Sequence, residues 1–347
     1  MVWEWTPQTR EALAQFLEAR KLATGPVETT PIGDGHSNLT YLVTDGERRV
    51  IVRRPPPPPT PRGANDMLRE ARFMAALEDT PVPVPSILAT AHAGEVIDVP
   101  FYVMSVADGP VVTTATPAPL DSATTRREIG ESLIDTLAAL HAVDWRAAGL
   151  ADDGRPEGFN ARHLRSLSRL NADADGSSPA EFVEIERWLG DNVPVESGAT
   201  ILHNDYRIGN VLLAPEAPGR VRAVLDWELA TLGDPLFDLG YFLSSIPEPG
   251  MPLTPTEELG TAMLEDGYPT RAELASRYAQ ASGLDLTNLG WYSALALWKL
   301  AALYEYGRRR AATGDGDDYY ADAGQVARFL DAAHRVAGLS PLRSESV

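Results

Sequence analysis

Residues 201–226 read ILHNDYRIGNVLLAPEAPGRVRAVLD, and the rest of the chain is organised around this stretch. Its apolar runs predict two short strands. Asp205 follows the first run, Asn210 comes five positions later, and Asp226 ends the second strand, so the polar side chains are expected where the strands stop. A single Asp or Asn between strands is usually only a turn former. The joint spacing of the three favours a functional site.

These residue types suit phosphoryl transfer, in which a protein positions an acceptor hydroxyl and neutralises phosphate charge with magnesium. Asp205 is the predicted catalytic base, which accepts the hydroxyl proton. Asn210 and Asp226 offer the hard oxygen ligands that suit Mg²⁺ when it shares its coordination with phosphates and water. The spacing from His203 through Asp205 to Asn210 matches the catalytic-loop signature of protein kinases.

The run HNDYRIGNVL at 203–212, with LDWELA at 225–230 and GDPLFDL at 233–239, resembles the aminoglycoside phosphotransferase family. Within that family, the chain is most similar to the kinase-like modules that are fused to some acyl-CoA dehydrogenases. Asn204 stands where glycine is common. A Trp-Glu pair replaces the Phe-Gly of protein kinases, which is normal for the small-molecule kinases of this family and argues against a protein-kinase activation loop.

The resemblance implies an α+β, bilobal, protein-kinase-like fold. Residues 1–104 are expected to form a small N-terminal nucleotide-binding lobe with an antiparallel sheet plus a helix. An apolar run that ends in Ala-Asp-Gly marks the lobe boundary, and the hinge is placed at residues 105–110. Residues 111–347 are expected to form a larger, mainly helical C-terminal lobe that carries the catalytic loop and the substrate-side helices.

A cation is predicted on the strand RVIVR at 49–53, because Arg53 stands where the kinase pattern has a lysine that pairs with nucleotide phosphates. Arg54 is the competing candidate, but strand alternation places it on the opposite face. Glu70 lies in the next predicted helix and is the expected partner of Arg53. A solvated basic strand end is the alternative interpretation of Arg53.

The resemblance also implies where the rest of the nucleotide lies. A glycine-containing hairpin precedes the strand of Arg53, and its residues Ser37 and Asn38 are expected to cover the phosphates. Main-chain groups of the hinge residues Ser105 to Ala107, including Val106, would meet the purine. The donor is ATP or GTP, since main-chain contacts leave no trace in side-chain identity.

Two polar residues are expected to support the loop. His203 opens the signature, and Asp238 falls in the first turn of a predicted helix, where a carboxylate satisfies free N–H groups. The resemblance implies that Asp238 braces the main chain of the catalytic loop, and Asp234 could help in the same way. His141 ends the apolar face of a long predicted helix and is expected to be a packed core histidine rather than a base.

Composition sets further bounds. A chain of 347 residues with 44% hydrophobic residues is that of an ordinary soluble protein with one or two domains. A net charge of −19 disfavours nucleic acid as a partner, because Lys and Arg supply most nonspecific affinity for it. There is no cysteine, so disulfides and Cys-based metal sites are excluded. No signal peptide or membrane span is expected, and the cytoplasm is the expected compartment.

The sequence therefore predicts a small-molecule kinase that transfers the γ-phosphoryl of ATP or GTP to a hydroxyl of a small metabolite. The subgroup resemblance favours a hydroxy acid or hydroxyacyl thioester, which would need a cation at the cleft, from Lys299 or from Arg308–Arg310. One alternative is an aminoglycoside or other antibiotic O-phosphotransferase. Another is a nucleotide-binding pseudokinase scaffold, which the arginine at position 53 keeps open. The sequence does not indicate an oligomeric state.

Overall fold

The computed structural model describes residues 5–33, 38–56, 65–173, 176–314 and 316–340. Five strands of its N-terminal part form one antiparallel sheet in the order β1-β2-β3-β5-β4. They are β1 (Glu28–Ile32), β2 (Leu39–Thr44), β3 (Arg49–Arg54), β4 (Ile87–Ala91) and β5 (Phe101–Ser105). The central position of β3 means that the side chains of Arg53 and Arg54 project from the middle of the sheet.

Two helices cover opposite faces of this sheet. Helix α1 (Pro7–Glu18) packs with Val50 and Val52, whereas α2 (Met67–Leu77) packs in the same core as Ile51. Because successive side chains of a strand alternate between faces, Arg53 shares the α2 face with Ile51. Asp66 precedes α2 as its N-cap, and its side chain accepts the N–H of Arg69 at 3.0 Å.

Helices dominate the remainder of the described chain. They are α3 (Ala123–His141), α4 (Phe159–Asn171), α5 (Val183–Asp191), α6 (Pro235–Ser244), α7 (Pro255–Glu258), α8 (Arg271–Ser282), α9 (Leu289–Ala312) and α10 (Ala323–Ala337). Helix α9 is central, since α4, α5, α6 and α10 all pack against it. Most of its residues from Trp291 to Ala302 are buried, as expected of a helix that other helices enclose.

Two small strand pairs lie in this helical part and carry the residues of the predicted site. Strand β7 (Val211–Leu213) pairs with β8 (Val221–Val224), whereas β6 (Thr200–Leu202) pairs with β9 (Thr231–Gly233). Asp205 and Asp226 follow strands, as predicted from the sequence. Asn210 does not, because it directly precedes β7.

The segment that follows β5 lies against the β7 strand. Leu213 donates its N–H to the carbonyl of Pro110 at 3.0 Å. A Cβ atom on Gly109 would lie 2.1 Å from the carbonyl oxygen of Leu213, so only glycine allows this close approach. The connection between the sheet and the helical part is therefore packed directly on the strand pair that follows Asn210.

Within these described ranges, every helix is either too short or too polar to serve as a bilayer-crossing segment.

Candidate active site

The loop after β6 carries Asp205, and Asp238 of α6 holds the main chain of this loop. The buried carboxylate of Asp238 accepts the N–H of His203 at 2.6 Å and the N–H of Asn204 at 2.8 Å. Its Oδ2 also lies 3.6 Å from Nε2 of His141. Burial alone would raise the pKa of Asp238, but its hydrogen bonds and the two nearby histidines bring it below the ordinary value.

Asp234, rather than Asp238, caps helix α6. Oδ1 of Asp234 accepts the N–H of Leu236 at 3.0 Å, and Oδ2 accepts the N–H of Ser197 and the hydroxyl of Tyr292, each at 2.7 Å. The expectation that Asp238 satisfies free N–H groups of its own helix is therefore wrong. Its carboxylate instead turns to the loop, which is the brace that the family resemblance implies.

His203 links Asp205 to the end of β8. Its Nδ1 accepts the N–H of Asp205 at 3.2 Å, and its Nε2 lies 2.8 Å from the carbonyl oxygen of Leu225. These partners are satisfied together when the ring is neutral and Nε2 carries the proton. The histidine thus fixes the start of the loop relative to the residue before Asp226. The other histidine considered from the sequence, His141, is a core residue as predicted. Its side chain is buried, and its Nδ1 lies 2.6 Å from the Tyr278 hydroxyl.

Both oxygens of the Asp205 carboxylate have donors. Asn210 Nδ2 donates to Oδ2 at 2.8 Å and to the main-chain carbonyl of Asp205 at 2.8 Å, and the Tyr241 hydroxyl donates to Oδ1. Nε of Arg207 lies 3.7 Å from Oδ1. The side chain remains 24% exposed. Asp205 is therefore held in one orientation and stays accessible to a hydroxyl group, as a base requires.

Asn210 and Asp226 lie close to each other, because the N–H of Leu225 donates to the carbonyl of Asn210 at 2.8 Å. Asn210 uses its amide nitrogen on Asp205, which leaves its side-chain oxygen as the atom that can bind a cation. Asp226 has a left-handed backbone with φ of 66° and a carboxylate that is 33% exposed.

One amide oxygen and one carboxylate fit Mg²⁺, which usually takes only one or two protein ligands and completes its octahedron with phosphates and water. The described residues contain no group of three or more His, Cys, Asp or Glu side chains placed to hold a metal. With two protein oxygens, a bound Mg²⁺ would take its remaining ligands from phosphates and water.

Arg53 lies among three carboxylates. Its Nε is 3.2 Å from Oε1 of Glu70, its Nη2 contacts Oδ1 of Asp226, and the same Nη2 is 3.7 Å from Oε2 of Glu228. The predicted ion pair with Glu70 is thus present. Burial works to lower the pKa of Arg53, but the carboxylates outweigh it and hold that pKa above the ordinary value. Arg54 is buried on the opposite face and donates to the Pro55 carbonyl at 3.0 Å.

Glu70 is almost fully buried, and the Tyr102 hydroxyl donates to its Oε1 at 3.0 Å. Burial raises the pKa of Glu70 to about 7, although Arg53 opposes the shift. The excess of carboxylates means that this cluster can accept additional positive charge.

Asn38 joins this cluster from the sheet side. Its Nδ2 donates to Oε2 of Glu228 at 2.7 Å, and its Oδ1 accepts the amide of Asn65 at 2.7 Å. Ser37, the other predicted phosphate-covering residue, lies outside the described residues. The hairpin residue Asn38 is therefore connected to the segment just after Asp226.

The predicted purine-contacting residues follow strand β5. Ser105 exchanges two hydrogen bonds with Ser86, one through its N–H and one through its hydroxyl, each 2.9 Å long. Val106 and Ala107 are half-buried.

Three of the cations that were expected to bind the acceptor have partners within the protein. Arg308 and Arg309 both bind Glu305, with contacts of 2.6 and 2.7 Å, and Arg309 also binds Asp173 at 2.8 Å. Lys299 is buried, and its Nζ donates to the carbonyl of Asn204 at 2.7 Å. The expectation that Lys299 faces the cleft is therefore wrong.

The position of Lys299 is explained by the backbone that it serves. Asn204 has a left-handed φ of 66°, at the position where glycine is common in the family, and its side chain donates to the Leu229 carbonyl at 2.7 Å. Lys299 binds the carbonyl of the same residue. It also lies 5.3 and 5.1 Å from the ring centroids of Phe237 and Tyr241, a distance typical of cation–π contacts.

Lys299 should make the stability of the protein depend on pH. Burial lowers its pKa from 10.5 to about 8. Between these two values the unfolded chain binds more protons, so the free energy of unfolding should rise with pH across this window. The gain is of order 3 kcal/mol at most.

The predicted pH dependence can be tested by measuring the free energy of unfolding in urea for the wild type and the Lys299→Met variant at pH 8, 9 and 10. The wild type should gain stability relative to the variant as the pH rises. Subtracting the variant removes the titration of other groups, and equal pH slopes for the two proteins would show that Lys299 is not destabilised as a cation.

Sequence reasoning missed three residues of this site: Arg207, Glu228 and Tyr241. The first two lie inside the quoted motifs, two positions after Asp205 and Asp226, so their proximity could have drawn attention. Tyr241 lies three positions after Asp238 on α6, and residues at that spacing share a helix face. This periodicity was the available signal for Tyr241.

The chain is similar in sequence to a family of phosphotransferases and to several known proteins. Residues 28–275 match the model of the Phosphotransferase enzyme family. The chain is 29% identical over 311 residues to acyl-CoA dehydrogenase family member 10 of Mus musculus. The matched region covers 88% of this chain and 29% of that protein. It is 32% identical over 288 residues to acyl-CoA dehydrogenase family member 11 of Gallus gallus, covering 80% and 36%. The chain thus spans about a third of the length of these relatives.

Solved structures share the fold. A candidate aminoglycoside phosphotransferase from Ralstonia eutropha is 28% identical, with a TM-score of 0.76 over 94% of this chain and 95% of that one. An aminoglycoside phosphotransferase in complex with AMP-PNP and hygromycin B is 16% identical, with a TM-score of 0.60 over 94% and 98% of the two chains, and shows the fold alone. The predicted bilobal, kinase-like fold is confirmed.

The family match covers most of the chain and includes the loop of Asp205, the strand pair of Asn210 and Asp226, and the ion pair of Arg53 and Glu70. The sequence resemblance to this family and the predicted enzyme class are therefore confirmed. The chain belongs to the phosphotransferase enzyme family.

Proposed function

We propose that the protein is a small-molecule kinase that transfers the γ-phosphoryl of a nucleotide to a hydroxyl of a small metabolite. The observation that carries this proposal is the Asp205 carboxylate, held by Asn210 at 2.8 Å while remaining accessible. Asp205 is the catalytic base. Asn210 and Asp226 would hold Mg²⁺, which would neutralise charge on the nucleotide phosphates.

In the proposed reaction, the acceptor hydroxyl loses its proton to Asp205 as its oxygen bonds to the γ-phosphorus. The bond between that phosphorus and the bridging oxygen of the β-phosphate breaks, and the nucleoside diphosphate leaves with the bridging oxygen. Asn210 prevents the carboxylate from rotating, and Asp238 fixes the main chain that carries it. The contribution of these groups is mainly orientation.

We place the nucleotide between an N-terminal lobe of residues 1–104 and a C-terminal lobe of residues 111–347, with the hinge at 105–110. Arg53, positioned by Glu70, would bind the phosphates with a planar guanidinium fork, while Asn38 and Ser37 would cover them. Ser105, Val106 and Ala107 would contact the purine. An aminoglycoside phosphotransferase of the same fold binds AMP-PNP, which favours ATP over GTP as donor.

Replacing Arg53 with alanine should weaken nucleotide binding about tenfold or more, because a charge-assisted contact to phosphate is lost. Isothermal titration calorimetry with an ATP analogue and Mg²⁺ measures the change in nucleotide affinity. The matched control is Arg48→Ala, which removes an exposed arginine of the preceding turn that donates to the Lys21 carbonyl at 2.7 Å. Unchanged affinity in the Arg53 variant would show that Arg53 does not bind the phosphates.

For the acceptor we favour a hydroxy acid or a hydroxyacyl thioester. Arg207 is 22% exposed and lies beside Asp205, where it can attract an anionic group of the acceptor. The similarity to acyl-CoA dehydrogenase family members supports an acyl-type acceptor. The 28% identity to a candidate aminoglycoside phosphotransferase supports the alternative, an antibiotic hydroxyl. A pseudokinase scaffold is disfavoured by the intact hydrogen bonds of Asp205.

A panel assay tests the proposed function. The protein is incubated with Mg²⁺ and ATP or GTP and with hydroxy acids, hydroxyacyl thioesters, aminoglycosides or macrolides, and phosphorylated product is identified by mass spectrometry. We expect transfer to a hydroxy acid or its thioester. Transfer to aminoglycosides alone would support the antibiotic alternative. Tight nucleotide binding with no transfer to any acceptor and no hydrolysis would indicate a scaffold.

A further inference from the structure

Tyr241 is a buried tyrosine of α6 whose hydroxyl donates to Oδ1 of Asp205. The other oxygen, Oδ2, accepts the amide of Asn210 at 2.8 Å. One donor on each oxygen blocks rotation of the carboxylate about its own axis. Each oxygen still has a second lone pair, so the carboxylate can accept a proton while it is held.

The Tyr241 hydroxyl is itself held in place. The tyrosine lies three residues after Asp238, which binds the main chain of the catalytic loop, so one helix face carries both contacts. Lys299 of α9 lies 5.1 Å from the centre of the Tyr241 ring and binds the Asn204 carbonyl at 2.7 Å. Burial raises the pKa of Tyr241 well above its ordinary value, so the hydroxyl remains a donor.

We propose that Tyr241 is a positioning residue for phosphoryl transfer, which acts by fixing the orientation of the Asp205 carboxylate toward the acceptor hydroxyl. This inference rests on the proposed function. Both alignment of the base and its distance from the acceptor affect the rate of transfer. Among the described contacts, the Tyr241 side chain has none with Arg53 or Asp226, so nucleotide binding should not depend on it.

Replacing Tyr241 with phenylalanine removes only the hydroxyl. We expect kcat to fall about 10- to 100-fold, the effect of losing one hydrogen bond to a charged group. The KM for ATP should stay within about twofold, because the nucleotide site is untouched. The matched control is Tyr268→Phe, which removes a hydroxyl that bonds Thr116 at 2.8 Å, away from the site. This control should keep the wild-type kcat.

A double-mutant cycle separates positioning from general packing. If Tyr241 acts through the Asp205 carboxylate, then adding Tyr241→Phe to Asp205→Asn should cost much less than it costs in the wild type. Additive losses, or a kcat of Tyr241→Phe equal to the wild-type value, would overturn the inference. A wild-type protein without any phosphoryl transfer would instead overturn the proposed function.

Discussion

The Asp205→Ala variant should lose about 10²- to 10⁴-fold in kcat, which is the usual contribution of a general base. Nucleotide affinity should remain near the wild-type value, because Asp205 contacts Asn210, Tyr241 and Arg207 rather than Arg53. Single-turnover transfer from radiolabelled ATP measures the first quantity, and calorimetric titration measures the second.

The control for this variant is Asp135→Asn, an exposed aspartate of α3 that pairs with Arg277 at 2.6 Å. It should transfer phosphate at the wild-type rate. If Asp205→Ala is as active as this control, Asp205 is not the base, and the assignment of the whole loop is wrong.

The Asp226→Ala variant should lose about 10²-fold or more in kcat, because a proposed Mg²⁺ ligand is removed. It should also need a higher Mg²⁺ concentration for half-maximal activity. Asp205→Ala should not show this second effect, since Asp205 is not a proposed ligand. Titrating residual activity with Mg²⁺ in both variants therefore distinguishes the base from the metal site.

Glu216→Gln is the control for Asp226, because Glu216 is a carboxylate of the turn between β7 and β8 that is 61% exposed. Its Mg²⁺ dependence should equal that of the wild type. An Asp226→Ala variant with unaltered Mg²⁺ dependence would show that this aspartate serves only as a partner of Arg53, which it contacts directly.

The residues that could be predicted from sequence are those whose placement depends on local geometry. Asp205 and Asn210 are five positions apart in one loop, so their spacing almost fixes their distance. Strand alternation was sufficient to separate Arg53 from Arg54, and the structure places Arg53 beside Glu70 at 3.2 Å. Local patterns therefore located most of the candidate site.

The remaining contacts depend on long-range packing. Asn38 meets Glu228 across 190 positions of sequence, and no spacing rule connects the two. The sequence alone suggested that Lys299 could bind an acceptor. In the structure, other helices enclose α9, and Lys299 donates to the Asn204 carbonyl of the catalytic loop instead. The contact of Asp238 with the N–H of His203 spans 35 positions of sequence, and local rules could not supply it.

The central proposal for this site is that Asp205 is the base of a phosphoryl transfer to a hydroxyl group. The most direct test follows radiolabelled γ-phosphate from ATP into acceptor with wild type and with Asp205→Ala, under Mg²⁺ and with nucleotide saturating for both. If Asp205 is the base, we expect labelled phosphoester with the wild type and almost none with the variant, at equal nucleotide occupancy. Equal labelling by the two proteins, or none by the wild type with any hydroxyl acceptor, would contradict it.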